Sequence, residues 1–281
     1  MTFMPKTMTS KLMCSVIAAT LALSAGSAVA QTCAEGKTIT PGVLTVATGN
    51  PAYFPWVMDN DPASGAGFEA AVAYAVAGAM GFDADKVVWT SASFDQSIQP
   101  GTKDFDFNLQ QFSITADREK VVDFSDPYYS AAMAVLVRQG TVDAGAMAEV
   151  ASLKKLIWGA DANTTAVPML NDLIGPDKAP LLYNDNADVV EAMKANQIDA
   201  ALFDLPTALY LSAVVLDDGA LLGQFPADRG QNPDQFGLLM AEGNPIKDCV
   251  NAALADITAN GLLADIEAEW LQQTTGVPVI K

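Results

Sequence analysis

The sequence predicts an α/β fold in two blocks, each a mostly parallel sheet flanked by helices. Three observations carry this. Short apolar runs alternate with helical patterns along most of the chain, and such alternation favours strand–helix–strand units with parallel strands. The alternation falls into two series, and a polar connection, 226–235 (PADRGQNPDQ), leads back to one more strand. Apolar residues make up 51% and charged residues 17% of 281 positions, which supplies ample core and excludes a disordered chain.

Residues 31–41 read as an ordered lead-in. Leu44 to Thr48 is strand-like, and Gly49-Asn50-Pro51 stops it. Residues 68–80 (FEAAVAYAVAGAM) form a largely buried helix with Gly81 just past its end. Val87 to Thr90 is a strand, 94–99 a short helix, and Phe105 to Leu109 a strand. Thr115 is placed to cap a helix with Asp117 in its first turn. Met133 to Arg138 is a strand leading away. In the second series, Leu156 to Gly159 is a strand and Asn163-Thr164-Thr165 opens a helix. Helix 187–196, strand 198–203 and helix 207–215 follow, the last just after Pro206. Phe236 to Met240 is a strand. Asn244-Pro245 opens a helix that Gly261 ends, and 262–273 is the last helix.

Residues 1–30 read as a secretory signal: Lys6 and Lys11, an apolar run from Leu12 to Leu23, then Ala28-Val29-Ala30. The run is too short and too interrupted by Ser and Thr to span a membrane. Cys14 lacks the small residues of a lipid-attachment site before it, so no lipid anchor is expected. Loss of Lys6 and Lys11 takes the net charge from −18 to −20. That surplus of acid excludes nucleic-acid and anionic-lipid partners, which need clustered Lys and Arg. The chain has no His, which removes Ser-His and Cys-His nucleophiles and the common zinc sites. No metal or cofactor is expected; the GxGxxA string Gly65 to Ala70 follows a polar turn rather than a strand, so a dinucleotide site is not expected there. Cys33 and Cys249 remain as a pair in an oxidising compartment. One disulfide is expected, closing a loop of about 216 residues worth on the order of 5 kcal/mol in the chain-entropy model; two separate thiols are the alternative.

The most informative stretch is Phe112-Ser113-Ile114-Thr115-Ala116-Asp117-Arg118, followed by Val122-Asp123-Phe124-Ser125-Asp126-Pro127-Tyr128-Tyr129. Ser113 and Thr115 lie at a strand-to-helix junction, where free N–H groups collect. An arginine in the first turn opposes the helix dipole, and is better explained by an anion in front of it, since a guanidinium forks onto a carboxylate. A structural ion pair with Asp117, Glu119 or Asp123 is the alternative.

This block closely resembles the extracytoplasmic solute-binding proteins, family 3, of polar amino-acid ABC transporters. Asn50 to Pro55, Gly67-Phe68-Glu69, Ile198 to Ala201 and Ala259 through Trp270 extend the resemblance over nearly all of 40–273. It implies the two-lobed, type II periplasmic-binding-protein fold. Lobe 1 would comprise 40–131 and 235–281, lobe 2 132–228, with hinges near 130–132 and 226–235. It also implies a periplasmic protein, expected to be a monomer, that binds a free amino acid and delivers it to a permease driven by ATPase subunits.

In that reading Arg118 and Ser113 hold the α-carboxylate, Asp204 takes the α-amino group, and the rings of Tyr53 and Phe94 cover the ligand side chain. Thr164 and Thr165 add the second lobe's carboxylate-binding turn. Asn50 stands where some binders of basic amino acids carry Asp, and Gln110 and Gln111 stand where those members carry Ser. The loss of that carboxylate leans the ligand toward a neutral or acidic polar amino acid. Gln111 is expected to face the site, two residues from Ser113 on a regular strand. Two rivals remain: an exported enzyme on the same fold, of cyclohexadienyl-dehydratase type, with Glu69, Asp95 or Lys103 as acid or base, and a ligand-sensing partner of a membrane receptor.

Overall fold

A computed structural model describes residues 33–227, 234–271 and 276–281. The expected signal segment 1–30 and the centre of the 226–235 connection lie outside the described residues. Among the described residues there are twelve strands: β1 Leu44–Thr48, β2 Val87–Ser91, β3 Phe107–Asn108, β4 Val122–Phe124, β5 Tyr129–Ala131, β6 Met133–Arg138, β7 Trp158–Asp161, β8 Leu181–Tyr183, β9 Ala200–Asp204, β10 Gly219–Phe225, β11 Asp234–Phe236 and β12 Leu239–Ala241. They form two five-stranded sheets, β2-β1-β3-β12-β4 and β10-β6-β9-β7-β8, and a two-stranded ribbon, β11-β5.

In each sheet four strands run one way and one is reversed. In the first the reversed strand is β12, antiparallel to β3 and β4; in the second it is β6, antiparallel to β9 and β10. Each is the first strand after the chain crosses from the other sheet, β6 directly after β5 and β12 directly after β11. The chain therefore meets each sheet from the opposite end. The two crossing strands pair antiparallel, Asp234 with Ala131 and Phe236 with Tyr129.

Both sheets are covered on two faces, as such strands require. In β6 the alternation is direct: Met133, Val135 and Val137 enter one apolar cluster, Ala134 and Leu136 another. In the first sheet β1 is buried throughout. Against it packs the alanine-rich helix Phe68–Ala79, whose Phe68, Val72, Ala73 and Val76 share a cluster with residues of helices Lys247–Ala259 and Leu262–Leu271. The first helix stops as its sequence implies: Gly81, at φ 86°, donates to Gly78 O, and Phe82 N donates to Ala77 O, both at 2.9 Å. Cys33 and Cys249 are disulfide-bonded, with Cα atoms 5.7 Å apart, which ties the start of the described chain to helix Lys247–Ala259.

Several expectations change. The helix expected after Thr115 is a single 3-10 turn, Arg118–Lys120, so the dipole argument for Arg118 loses its base. The strand expected over 236–240 divides between β11, which pairs with β5 in the ribbon, and β12, which pairs with β3 and β4 in the first sheet; at Gly237, between them, a Cβ would lie 2.9 Å from Ile114. No strand is expected from the sequence over β4, β5, β8 or β10. Three-residue β8 is an exposed edge, and β10 carries two glycines, which weaken a strand signal. A Cβ on Gly219 would meet Ser212 Cα at 2.6 Å, and one on Gly223 would meet Ile280 at 2.7 Å. The assignment of all of 235–281 to the first lobe also fails. Val279 pairs with Gln224 of β10, Ile280 is buried in the second sheet's core, and Val150 N donates to Lys281 O at 2.9 Å.

Among the described residues no helix is long and apolar enough to cross a membrane.

Candidate functional site

The two sheets face each other across a cleft of about 350 Å³. Its walls come from the C-terminal ends of parallel strands, where α/β sheets generally receive ligands. From the first lobe these are Thr48 and Gly49 after β1, and Gln110, Gln111 and Ser113 after β3. From the second they are Asp161 at the end of β7 and Asp204 at the end of β9. Arg118, Thr164, Thr165, Tyr53, Phe94 and Asn50 also line it. The structure thus brings every residue singled out for the ligand to one cavity.

The lobes touch around this cleft. Arg118 spans it: Nη1 donates to Ser113 O at 2.8 Å on its own lobe, and Nη2 donates to Asn163 O at 2.9 Å on the other. The guanidinium carbon lies 5.2 Å from the centre of the Phe94 ring, within range of a cation–π attraction. Phe94 is itself stacked on Phe112 at 4.7 Å. Burial lowers the Arg118 pKa, and Asp234 and Asp161 oppose the shift; the side chain remains a cation. Two bonds to carbonyls leave further N–H groups for an anion. None of its hydrogen bonds goes to Asp117, Glu119 or Asp123: Asp117 pairs with Lys120 and Asp123 with Lys247.

Ser113 is 5% exposed, and its Oγ lies 3.1 Å from Thr165 Oγ1 across the cleft. Ser113 also hydrogen-bonds Asp234, whose pKa is raised by burial and lowered by this contact. Thr165 is the N-cap of helix Ala166–Met169, whose end is continued by a turn of π-helix, but its side chain caps nothing. Thr164 differs: its hydroxyl is bonded to Asp161 O at 3.0 Å, so its side chain shapes the turn.

Asp204 combines two roles. Its Oδ1 accepts from Thr207 N at 2.8 Å, capping helix Leu205–Tyr210, while the residue lines the cleft. Burial raises its pKa to about 6, with Thr207 pulling the other way. Tyr53 sits half-buried at the cleft wall, its hydroxyl pKa raised by burial and then by Asp185 and Tyr210. Asn50 is exposed at the rim, where its Oδ1 accepts from Asn60.

Gln111 reaches the cleft by a different route from the one expected. β3 ends at Asn108, so no strand alternation runs to Ser113. Gln111 instead adopts a left-handed backbone, φ 51°. Its N donates to Glu69 Oε1 at 2.8 Å and its Nε2 to Glu69 Oε2 at 2.5 Å. Tyr128 OH donates to the same Oε1. Glu69 is 1% exposed, lines the cleft floor, and has its pKa raised by burial to about 7 against the pull of these three donors. Gln110 also lines the cleft, packed where Gly49 has no side chain: a Cβ on Gly49 would come within 2.7 Å of Gln110 Nε2.

Among the cleft residues without an assigned ligand role are Glu69, Asp161, Asp234 and Trp56. Glu69 hides in a helix that reads as plain core, and Asp234 in a polar stretch. Asp161 stood at a strand end like Asp204, a signal that would have found it. Lys103 is outside the cleft, bonded to Gln96 O and Gln99 O.

The fold and cleft define a two-lobed binding protein of the type II periplasmic class. Residues 44–273 match the family model of bacterial extracellular solute-binding proteins, family 3, and the chain belongs to that family. It is 27% identical over 259 residues to the L-cystine-binding protein TcyJ of Escherichia coli K12, covering 89% of this chain and 91% of that one. A solved ancestral arginine-binding protein with bound arginine superposes with a TM-score of 0.64 at 23% identity, covering 82% of this chain and 98% of its own. An ancestral amino acid-binding protein described as a precursor of cyclohexadienyl dehydratase superposes with a TM-score of 0.61 at 24% identity, covering 82% and 95%.

Proposed function

We propose that this protein captures a free amino acid in the cleft and presents it to the permease of an ABC importer in the periplasm, acting as a monomeric carrier without chemistry of its own. The observation that supports it most is Arg118, a cation in the cleft wall bonded to both lobes, with the carboxylate of Asp204 lining the same cavity. A zwitterion needs one fixed charge of each sign, because its two charged groups leave water together on closure. The relatives' printed ligands, cystine and arginine, are amino acids.

Arg118 with Ser113 and the turn at Thr164-Thr165 would hold the α-carboxylate, and Asp204 the ammonium. Tyr53 and Phe94 supply apolar walls, Phe94 braced by Phe112. The paired strands β5 and β11 would flex as the lobes part. A thermal-shift screen with the twenty amino acids, ornithine and cystine tests this reading, since a ligand that binds only the folded state raises the melting temperature. At least one should raise it in a concentration-dependent way; no response from any of them contradicts the proposal.

The dehydratase reading draws on Glu69, a buried carboxyl at the cleft floor with a pKa raised to about 7. Against it, both carboxylate oxygens are already occupied by donors from Gln111 and Tyr128.

A further inference from the structure

We infer that the cleft selects a ligand whose side chain ends in hydrogen-bond donors, such as a carboxamide, ammonium or guanidinium, and rejects the isosteric carboxylate. This deepens the amino-acid reading above and rests on it. It keeps the neutral part of the expectation drawn from Asn50, Gln110 and Gln111, reverses the acidic part, and readmits the basic ligands that expectation set aside.

Gln110 lines the cleft. Its Oε1 is buried away from the open cavity and has no hydrogen-bond partner among the described residues. A buried acceptor left unpaired carries the full cost of its lost hydration, so a turn of this side chain toward a ligand donor is favoured, whereas a ligand acceptor offers it nothing. The ionised form of Glu69 holds Gln111 in the same polarity. Its Nε2 faces Glu69 Oε2 at 2.5 Å; only the NH₂ side of an amide can face an oxygen that is accepting, so the carbonyl Oε1 must turn away from Glu69. Glu69 is therefore a positioning residue, which sets the side of the Gln111 amide left for the cavity.

The charges agree. Asp161 lines the cleft at 4% exposure, and one of its oxygens accepts from Asn163 N at 2.9 Å. Asp95 from the first lobe and Asp185 from the second act on it as like charges, with Arg118 opposing them, and Asp95 Oδ1 is a second buried oxygen without a partner among the described residues. Asp161 and Asp185 share the second lobe, and closing the lobes brings Asp95 toward them. A ligand N–H group or cation between them relieves that repulsion, whereas a fourth carboxylate adds to it. Of the cleft's cations, Arg118 is assigned to the α-carboxylate, and Lys194 is ion-paired with Glu191.

Calorimetry on the full mature chain with isosteric pairs tests this: glutamine against glutamate, and asparagine against aspartate. The donor member of at least one pair should bind at least tenfold more tightly. In Asp161→Asn, and separately in Gln110→Met, that ratio should fall at least threefold; the second variant serves if the first does not fold. Glutamate or aspartate binding as tightly as its amide, or a ratio unmoved in both variants, overturns the inference while leaving the amino-acid reading intact. If no amino acid binds at all, both fall.

Discussion

Trp56 Nε1 donates to Thr207 Oγ1 at 2.8 Å, joining the first lobe to the second beside the cleft. The indole is 1% exposed and edges against Phe68, Tyr129 and Phe236 at 5.7–5.9 Å. Thr207 in turn donates its N–H to Asp204. One contact thus connects the core of the first lobe to the carboxylate that would receive the ligand's ammonium.

Trp56→Phe removes that bond and keeps an aromatic ring. A net hydrogen bond of about 1 kcal/mol corresponds to roughly fivefold weaker amino-acid binding. Calorimetry should show this weakening, and small-angle scattering should show a wider ligand-free shape. An unchanged affinity would mean the contact contributes nothing to closure.

Affinity should depend on Asp204. Its pKa is raised to about 6 in the ligand-free protein, and an ammonium partner stabilises only the ionised form. Binding should therefore weaken as pH falls below 6, approaching tenfold per unit, and be flat from 7 to 8. Asp204→Asn should bind weakly at every pH and lose this dependence. A wild-type affinity that stays constant down to pH 4.5 would remove Asp204 from the ammonium site.

Stability without ligand should follow the opposite trend. Glu69 and Asp204 both have folded-state pKa values above their ordinary ones, about 7 against 4.5 and about 6 against 3.8. The folded protein then binds protons more readily than the unfolded chain. The contribution is complete below the ordinary values and is lost as pH rises through 6 to 7. The melting temperature should rise as pH is lowered from 8 to 5, and Glu69→Gln should flatten the part of the rise above pH 6. A melting temperature that falls over that range would contradict the burial of these groups as carboxyls.

Reducing the Cys33–Cys249 bond should destabilise the fold by about 2–5 kcal/mol, by freeing a 216-residue loop. Denaturant titration with and without reductant reads this directly. Equal midpoints would mean the bond restrains little.

Much of the fold was legible in the sequence because its signals were local. The ends of β6 are legible from the five apolar residues before Arg138, and the end of the first helix from Gly81. What failed depended on distant packing. The glycines of β10 look like loop residues until Ser212 and Ile280 are seen against them. The C-terminal residues 276–281 join the second lobe by pairing with Gln224, by burying Ile280 and by backbone bonds to Ala148 and Val150, which no periodicity signals. At the site, charged and aromatic residues at strand ends were readable. Gln111 was placed in the cleft for a mistaken reason, since its left-handed backbone and its anchor, Glu69, lie forty-two residues apart in the chain.

The most direct measurement is calorimetry of Arg118→Ala against the wild-type protein, using the amino acid that the thermal screen selects. Loss of a desolvated, charge-assisted pair should weaken binding by about 2–5 kcal/mol, more than thirtyfold, while circular dichroism stays that of the folded protein. A folded variant with wild-type affinity would show that the ligand's carboxylate is held elsewhere and would contradict the account.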